Sequence, residues 1–483
     1  MSSFNKDSDK FSRKDFLKTG MLSSFALAPA LISTDDKPMR LVEGGSVENV
    51  IFMVSDGMSS GTLMLADLIS RWQYGRQSNW MKLYDSDRTY HRGLMDMASN
   101  NSPVTDSAAA SSSWACGRRL NNGAINVGPN GERYKPILKI FQEAGKKTGL
   151  VTTTRITHAT PAGFGTNVPY REMEDEIAVQ YLEHKYDLLM GGGLRHFVAS
   201  ERDDERDLLT AYRREGYQVV RDREDLNLLS TDRKLLGLFA DSHLPYTIDR
   251  NHVKEIEQSV PTLNEMAGIA LDRFSRSRDG FILQIEGGRV DHGGHDNDPA
   301  GLIYDQIAFD ETLGTVLDFV EGRDDTLLII TTDHGTGNPG LNGMGDRYTA
   351  SDDLLKNLYR FRRSSEWVLD DLDESSSESR IRERVKHATD IGLSPEEVNM
   401  ITGALKGQYR TPYREQSEPT AVLGALLANY IGINWTSTAH TSDYVELVVI
   451  APELNQVDGL TRNTELFDLM VNSAGVKAQA GVR

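Results

Sequence analysis

The chain contains little cysteine, few basic residues and no long apolar run. Its one cysteine, Cys116, has no partner for an intrachain disulfide, so the fold must be stabilised by its core alone. The 53 lysine and arginine residues are outnumbered by 71 aspartate and glutamate residues, which gives a formal net charge of -18. An acidic surface repels nucleic acid, so the composition argues against a nucleic-acid-binding protein. No apolar stretch reaches the ~20 residues that span a bilayer, so we expect no membrane span.

The first residues resemble an export signal. A basic segment at residues 12–18 precedes a short apolar run at residues 21–28, with small residues at the spacing of a cleavage site. The order Ser-Arg-Lys-x-Phe-Leu-Lys resembles a twin-arginine signal in which Lys14 stands in place of the second arginine. A general secretory signal is the competing interpretation. In both cases we expect an exported protein, either periplasmic or extracellular.

Three apolar runs predict strands that are buried on both faces of a sheet, at residues 50–54, 281–285 and 327–330. Apolar residues at helical spacing alternate with them, most clearly over residues 301–319. This alternation predicts an α/β fold, a three-layer sandwich with a mostly parallel central sheet and helices on both faces. Polar residues come just after each run: Asp56, Glu286, and Asp333 with His334. Ligands in such folds bind beyond the carboxyl ends of the strands, so we expect these side chains to form a site.

The 483 residues exceed the usual size of one domain, but large α/β enzymes often grow by insertion into one core. After an export signal and linker at residues 1–45, we expect the core at residues 46–340 and its continuation at residues 421–483. Residues 341–420 are charged and strand-poor, so we interpret them as an inserted region of helices and loops. The acidic run at residues 370–378 is most simply a solvated surface.

Carboxylates and imidazoles gather in several short clusters, which indicates metal binding. Zinc takes such mixed ligands, whereas oxygen-only sets suit magnesium. Asp291 and His295 are four residues apart in a glycine-rich stretch, so one turn of chain can bring both to a single ion. The alternative is a loop whose polar residues merely satisfy backbone groups.

Ser107 is the candidate nucleophile. A serine hydroxyl reacts poorly unless a base, a lowered pKa or a metal activates it. Ser107 lies among small residues at the expected start of a helix, where free N–H groups favour a phosphoryl anion. The alternative is an ordinary N-cap, in which Asp106 or Ser107 satisfies the first turn of the helix.

These clusters, in the same order along the chain, resemble the motifs of the alkaline phosphatase family from about Val47 to the strand after His440. The matching motifs are Asp56-Gly57-Met58, Val104-Thr105-Asp106-Ser107-Ala108, Trp114-Ala115-Cys116-Gly117, His158-Ala159-Thr160-Pro161-Ala162, the stretch from Glu286 to His295, Thr332-Asp333-His334-Gly335 and Thr438-Ala439-His440. Such collinear matching is highly specific, although region 341–420 lies outside it. The resemblance implies hydrolysis of small phosphate monoesters to an alcohol and inorganic phosphate, through a phosphoserine intermediate on Ser107.

The resemblance also implies two zinc ions and one magnesium ion. Their ligands fall into three groups: Asp291, His295 and His440 for the first zinc; Asp56, Asp333 and His334 for the second zinc; and Thr160, Glu286 and the bridging Asp56 for magnesium. Because family members are often homodimers, the resemblance is also compatible with a homodimer.

Three further residues follow from the resemblance. Arg171, thirteen residues after His158, would bind two phosphate oxygens, although its local sequence also fits a surface helix. His158 and His292 match the animal-type members of the family. The resemblance implies that they act through ordered water and not as direct metal ligands.

Two other functions stay open. A phosphodiesterase or a sulfatase can share the general fold, although Thr160 and Glu286, which supply the third metal site, favour the monoesterase. An exported metal-binding or adhesive protein without catalysis would use the acidic insertion as its interaction surface. The presence of Ser107, Arg171 and the full ligand set argues against that second alternative.

Overall fold

A computed structural model describes residues 47–85, 91–230, 232–345, 347–452 and 459–477, without the side chains of Asn227 and Leu228. The export signal and linker predicted at residues 1–45 lie outside the described residues, so they stay a prediction. Within the described part, no helix combines the length and the apolar character needed to cross a membrane.

The strands of the described residues follow one another along most of the chain. They are β1 (Asn49–Val54), β2 (His91–Asp96), β3 (Lys147–Arg155), β4 (Leu188–Gly192), β5 (Gln218–Val220), β6 (Leu235–Leu238), β7 (Phe281–Glu286), β8 (Thr326–Thr331), β9 (Gly335–Thr336), β10 (Gly340–Leu341), β11 (Ile433–Asn434), β12 (His440–Thr441), β13 (Val445–Ile450) and β14 (Leu460–Arg462).

Ten of these described strands form one sheet, in the order β14-β2-β13-β8-β1-β7-β3-β4-β6-β5. Neighbouring strands run parallel except where β13 pairs with β8 and with β2. Parallel neighbours need crossover connections, which helices mostly supply here. The mostly parallel central sheet predicted from the sequence is confirmed.

Helices occupy most of the chain between the strands. They are α1 (Ser60–Tyr74), α2 (Asn79–Asp85), α3 (Ser107–Cys116), α4 (Ile137–Glu143), α5 (Ala159–Gly165), α6 (Glu174–His184), α7 (Leu208–Arg214), α8 (Thr247–His252), α9 (Lys254–Ser259), α10 (Leu263–Phe274), α11 (Arg289–His295), α12 (Pro299–Val320), α13 (Ser351–Leu355), α14 (Ser365–Leu369), α15 (Glu378–Thr389), α16 (Pro395–Leu405), α17 (Pro419–Ile431) and α18 (Glu465–Ser473).

Alternate side chains of the central strand β1 enter two different cores, as the period of two in a strand requires. Ile51 and Met53 pack with residues of α1, α10 and α12 on one face of the sheet. Val50, Phe52 and Val54 pack with residues of α3, α4 and α18 on the other face. Both faces are therefore covered, which confirms the predicted three-layer α/β architecture.

The charged segment at residues 341–420 carries helices α13 to α16. Its buried residues Leu355, Phe361 and Ile381 belong to the same apolar cluster as Ile51 of the central sheet. The segment therefore packs against the α1–α10–α12 face. The domain boundaries drawn from the sequence, at residues 46–340, 341–420 and 421–483, stay a prediction.

Candidate metal centre

The carboxyl ends of neighbouring central strands carry the acids predicted from the sequence. Val54, at the end of β1, pairs with Thr331 of β8 and with Glu286 of β7 in parallel register. Asp56 and Asp333 follow β1 and β8 by two residues, so they lie at the same edge of the sheet as Glu286. Parallel pairing thus brings together carboxylates that are far apart in the chain.

The first ligand group consists of Asp291, His295 and His440, which offer ligand atoms within 4.8 Å of one another. Asp291 and His295 lie one turn apart on α11, whereas His440 comes from β12, which pairs with β9. Asp291 Oδ1 is 3.4 Å from His295 Nε2 and 3.6 Å from His440 Nε2. The structure therefore brings together all three residues that the sequence assigned to the first zinc.

Hydrogen bonds fix which nitrogen of each imidazole faces this point. Nδ1 of His295 donates to the carbonyl oxygen of Thr438 at 2.6 Å, and Nδ1 of His440 donates to that of Thr105 at 2.9 Å. In a neutral imidazole the other nitrogen then carries the lone pair. Because the two Nε2 atoms are 3.0 Å apart, two lone pairs and a carboxylate converge, which is favourable only if a cation lies between them.

The second group consists of Asp56, Asp333 and His334, and all three side chains are buried. Nε2 of His334 is 3.1 Å from Asp333 Oδ2 and 3.7 Å from Asp56 Oδ1. Asp333 is held by its other oxygen, which accepts hydrogen bonds from the backbone N–H groups of Gly57 and His334. The group assigned to the second zinc is thus also assembled.

The third group combines Asp56 and Glu286 with His158, again with ligand atoms within 4.8 Å of one another. Thr160, the remaining residue assigned to magnesium, donates its hydroxyl to Asp56 Oδ2 at 3.1 Å. His158 is thus close enough to offer a ligand atom beside the two carboxylates, whereas the resemblance implies that it acts through ordered water. His292 lies next to it, with ring centroids 5.7 Å apart.

The pKa values of these groups show how strongly the charges interact. Burial, reinforced by the negative charge of Asp333, raises the pKa of Asp56 well above its usual value, and burial raises that of Glu286 to about 7. Burial alone would also raise the pKa of Asp291, but the imidazoles of His295 and His440 outweigh it and hold that pKa well below its ordinary value. The protein itself therefore stabilises the charged form of Asp291 better than the charged forms of Asp56 and Glu286.

Helix α3 begins at Ser107 and places this residue beside the second group. Asp106 is the N-cap, and its side chain accepts a hydrogen bond from the N–H of Ala109 at 2.9 Å. Because Asp106 caps the helix, the Ser107 hydroxyl is free to face the site, where its Oγ lies 3.3 Å from His334 Nε2. The side chain is buried at a helix N-terminus, a position that favours an anion.

Arg171 lies in the turn before α6 and not on a surface helix. One guanidinium nitrogen donates to Asp106 Oδ2 at 3.2 Å, and the other donates to His158 Nε2 at 2.9 Å. The same Asp106 that caps α3 therefore holds Arg171 close to the start of the serine helix.

Several residues of the site were not predicted from the sequence. Thr336 accepts a hydrogen bond from His334 Nδ1 at 3.2 Å and donates to Asp291 Oδ1 at 2.6 Å, so it connects the first two groups. Thr152, on β3, donates to Glu286 Oε2 at 2.5 Å. Thr336 directly follows the Asp-His-Gly motif, so its position could have indicated that it belongs to the site. Thr152 lies inside a strand, where a threonine gives no such indication.

The buried oxygen atoms test whether these residues fit metal ions. Asp56 Oδ1, Asp333 Oδ2 and Glu286 Oε1 are buried, and none of them has a hydrogen-bond partner among the described residues. Buried carboxylate oxygens without partners are strongly unfavourable unless a cation neutralises them. The mixed oxygen and nitrogen donors of the first two groups suit zinc, and the oxygens of Asp56, Glu286 and Thr160 suit magnesium.

Comparisons with known proteins identify one family over most of the chain. A family model described as alkaline phosphatase matches residues 47–476. Alkaline phosphatase 4 of Bacillus subtilis is 29% identical over 449 residues, covering 91% of this chain and 91% of that protein. The repressible alkaline phosphatase of Saccharomyces cerevisiae is 37% identical over 321 residues, covering 60% of this chain and 55% of that protein. The crystal structure of Thermus thermophilus alkaline phosphatase is 35% identical, with a TM-score of 0.86 over 92% of this chain and 94% of that one.

Zinc should stabilise the fold because it neutralises the buried carboxylates. At a free zinc concentration of about 100 times its dissociation constant, binding to the folded state alone adds about 2.7 kcal/mol. Differential scanning calorimetry of metal-stripped protein should show a higher unfolding temperature when zinc is added. Asp333→Asn should lose the part of this increase that the second zinc contributes, because it removes one of that ion's ligands. Asp310→Asn, which changes a buried aspartate that accepts from the N–H of Trp80 at 2.9 Å, should keep it. An equal increase in both variants would contradict the assignment.

Proposed function

Because this chain belongs to the alkaline phosphatase family and is a phosphoric monoester hydrolase, we propose that it hydrolyses small phosphate monoesters through a phosphoserine intermediate on Ser107. The family is metal-dependent, and we assign two zinc ions and one magnesium ion to the three ligand groups. The observation that carries the proposal is the position of Ser107, whose Oγ lies 3.3 Å from His334 Nε2 at the start of α3.

The ligand groups supply the charge that the reaction needs. Asp291, His295 and His440 would hold the first zinc, Asp56, Asp333 and His334 the second, and Thr160, Glu286 and Asp56 the magnesium. When bound, these ions provide positive charge that lowers the pKa of hydroxyl groups and offsets the charge of the transferred phosphoryl group.

The protein's own residues position the reacting atoms. The Ser107 hydroxyl loses its proton to solvent, and its oxygen attacks phosphorus as the bond from phosphorus to the ester oxygen breaks. The leaving oxygen takes a proton from solvent to become the alcohol. The free N–H groups at the start of α3 face the transferred phosphoryl group, since Asp106 caps only one of them in the first turn. Water then attacks the phosphoserine from the opposite side, which returns the Ser107 hydroxyl and releases inorganic phosphate.

Arg171 would bind two oxygens of the phosphoryl group. Its guanidinium is anchored to Asp106 and to His158, so little conformational freedom is lost when phosphate binds. Both anchors are already in place around the start of α3. The geometry therefore supports a site shaped for a doubly charged monoester.

The sequence also supports proposals on cellular location and oligomeric state. We propose that the protein is exported and acts in the periplasm or outside the cell, as the basic and apolar segments within residues 1–45 predict. We propose a homodimer only because members of the family are often homodimers. The net charge of -18 supports the proposal that the protein does not bind nucleic acid.

Ser107→Ala should abolish the covalent intermediate and leave the metals bound, because the serine contributes little to their affinity. Turnover should fall by about a thousandfold or more. The test is acid trapping of labelled phosphate on the protein after brief exposure to a labelled monoester. Ser113→Ala is the matched control, since this serine is buried in the same helix and donates to the Ala110 carbonyl oxygen. Label retained by Ser107→Ala would refute the proposed nucleophile.

A monoester should be hydrolysed with a higher kcat/KM than the matching methyl diester, because the diester has one charge fewer for Arg171 to bind. We expect a ratio of at least about 100-fold, the size of one or two charge-assisted hydrogen bonds. Arg171→Ala should lower this ratio of the kcat/KM values for the monoester and the diester. Arg133→Ala, at an exposed arginine that donates to the Asn167 carbonyl oxygen, should not. Preference for the diester would identify a phosphodiesterase instead.

A further inference from the structure

Arg289 is a buried arginine at the first residue of α11, the helix that carries Asp291 and His295. Only 4% of its side chain is exposed. Its backbone N–H donates to the hydroxyl of Thr153 at 3.1 Å. A guanidinium in this position keeps its charge and therefore needs a partner of opposite charge.

The guanidinium has three specific contacts. One nitrogen donates to Glu366 Oε2 at 2.6 Å, and another donates to His292 Nδ1 at 2.8 Å. The group also lies over the ring of Tyr246, with the guanidinium carbon 3.8 Å from the ring centroid. Arg289 is thus fixed from several sides at the start of the metal-binding helix.

Glu366 forms the ion pair with Arg289, and the carboxyl groups of Asp305 and Asp296 are also close enough to interact with this guanidinium. In the part of the chain that the structure describes, the carboxylate within ion-pair distance of Arg289 is that of Glu366. Removal of this carboxylate would leave the buried guanidinium without its ion-pair partner.

Glu366 belongs to the segment at residues 341–420, which lies outside the motifs that resemble the family. It lies in the first turn of α14, and Ser364 caps this helix. The N–H of Ser364 donates to Asp249 at 3.0 Å, and the N–H of Ser365 donates to Asp298 at 2.7 Å. These two bonds fix the start of α14 against the core, so Glu366 is held in a defined place.

The hydrogen bond from Arg289 to His292 connects the Glu366–Arg289 ion pair to the metal centre. A guanidinium can only donate, so Nδ1 of His292 accepts and the ring proton lies on Nε2. Arg289 therefore sets both the tautomer of His292 and the position of the first turn of α11. Asp291 lies next to His292 in the same turn.

We propose that Glu366 is a positioning residue of the metal centre. Through Arg289 it fixes the start of α11, and so the placement of Asp291 and His295 at the first zinc; this inference rests on the proposed function. Partners that orient metal ligands from outside typically change metal affinity by about 10–100-fold. Since 40% of the Glu366 side chain is exposed, we expect an effect near the lower end of that range.

The test is a zinc competition titration of the full metal-stripped chain with a chromogenic chelator. Glu366→Ala should weaken binding of the first zinc by about tenfold. Glu366→Gln keeps an acceptor for Arg289 without the charge and should restore part of the affinity. The matched control is Asp371→Ala, which removes an ion pair with Arg384, 2.7 Å long, within the same segment. It should leave zinc affinity within about twofold of wild type.

A double-mutant cycle distinguishes positioning from general loosening of the segment. In a His440→Ala background, which lacks a ligand of the first zinc, Glu366→Ala should have little further effect on zinc binding. An equal loss in that background, or an equal loss in Asp371→Ala, would overturn the positioning role. If Glu366→Ala does not fold, Glu366→Gln provides the same comparison.

The wild-type titration separates the two levels of the proposal. Failure of the wild-type chain to bind zinc would refute the proposed function itself. Normal binding by the wild type together with unchanged binding by both Glu366 variants would refute only the role of Glu366.

Discussion

Four buried carboxylates at the carboxyl edge of one sheet set the main physical constraint on this protein. Asp56, Glu286, Asp291 and Asp333 are almost wholly removed from solvent, and carboxylates buried together repel one another. Histidines offset part of this charge, since His295 and His440 hold the pKa of Asp291 low and His334 does the same for Asp333. Burial raises the pKa values of Asp56 and Glu286, and the negative charge of Asp333 adds to the rise at Asp56. The arrangement is therefore stable in the charged form only with cations bound.

The surrounding structure can be understood as support for that cluster. Threonine hydroxyls, which donate and accept, hold the carboxylates without adding charge: Thr152 holds Glu286, Thr160 holds Asp56 and Thr336 holds Asp291. Outside this layer, Asp106 and Arg289 organise two helix starts, one at Ser107 and one at the helix of Asp291. The starts of two helices and the ends of the central strands therefore lie around the same buried carboxylates.

Much of this could be predicted from local sequence. An apolar run followed directly by an acid marks a buried strand and its polar end, which located Asp56, Glu286 and Asp333. The spacing of Asp291 and His295 predicted their common ion, because a single helical turn joins them. Contacts between distant parts of the chain could not be predicted from local sequence. His440 reaches the first group only because β12 pairs with β9, and the carbonyl oxygen of Thr105, 335 residues away, orients its ring. Glu366 was hidden for a further reason, since its segment is charged overall and only the fold shows that its carboxylate meets the buried Arg289.

The most direct test of the account is hydrolysis of a chromogenic phosphate monoester by metal-stripped protein, measured before and after zinc and magnesium are restored. The account predicts no turnover without metal, recovery with zinc, and a further increase when magnesium is added to the zinc-loaded protein. Turnover that does not depend on zinc, or no turnover after both metals are restored, would contradict it.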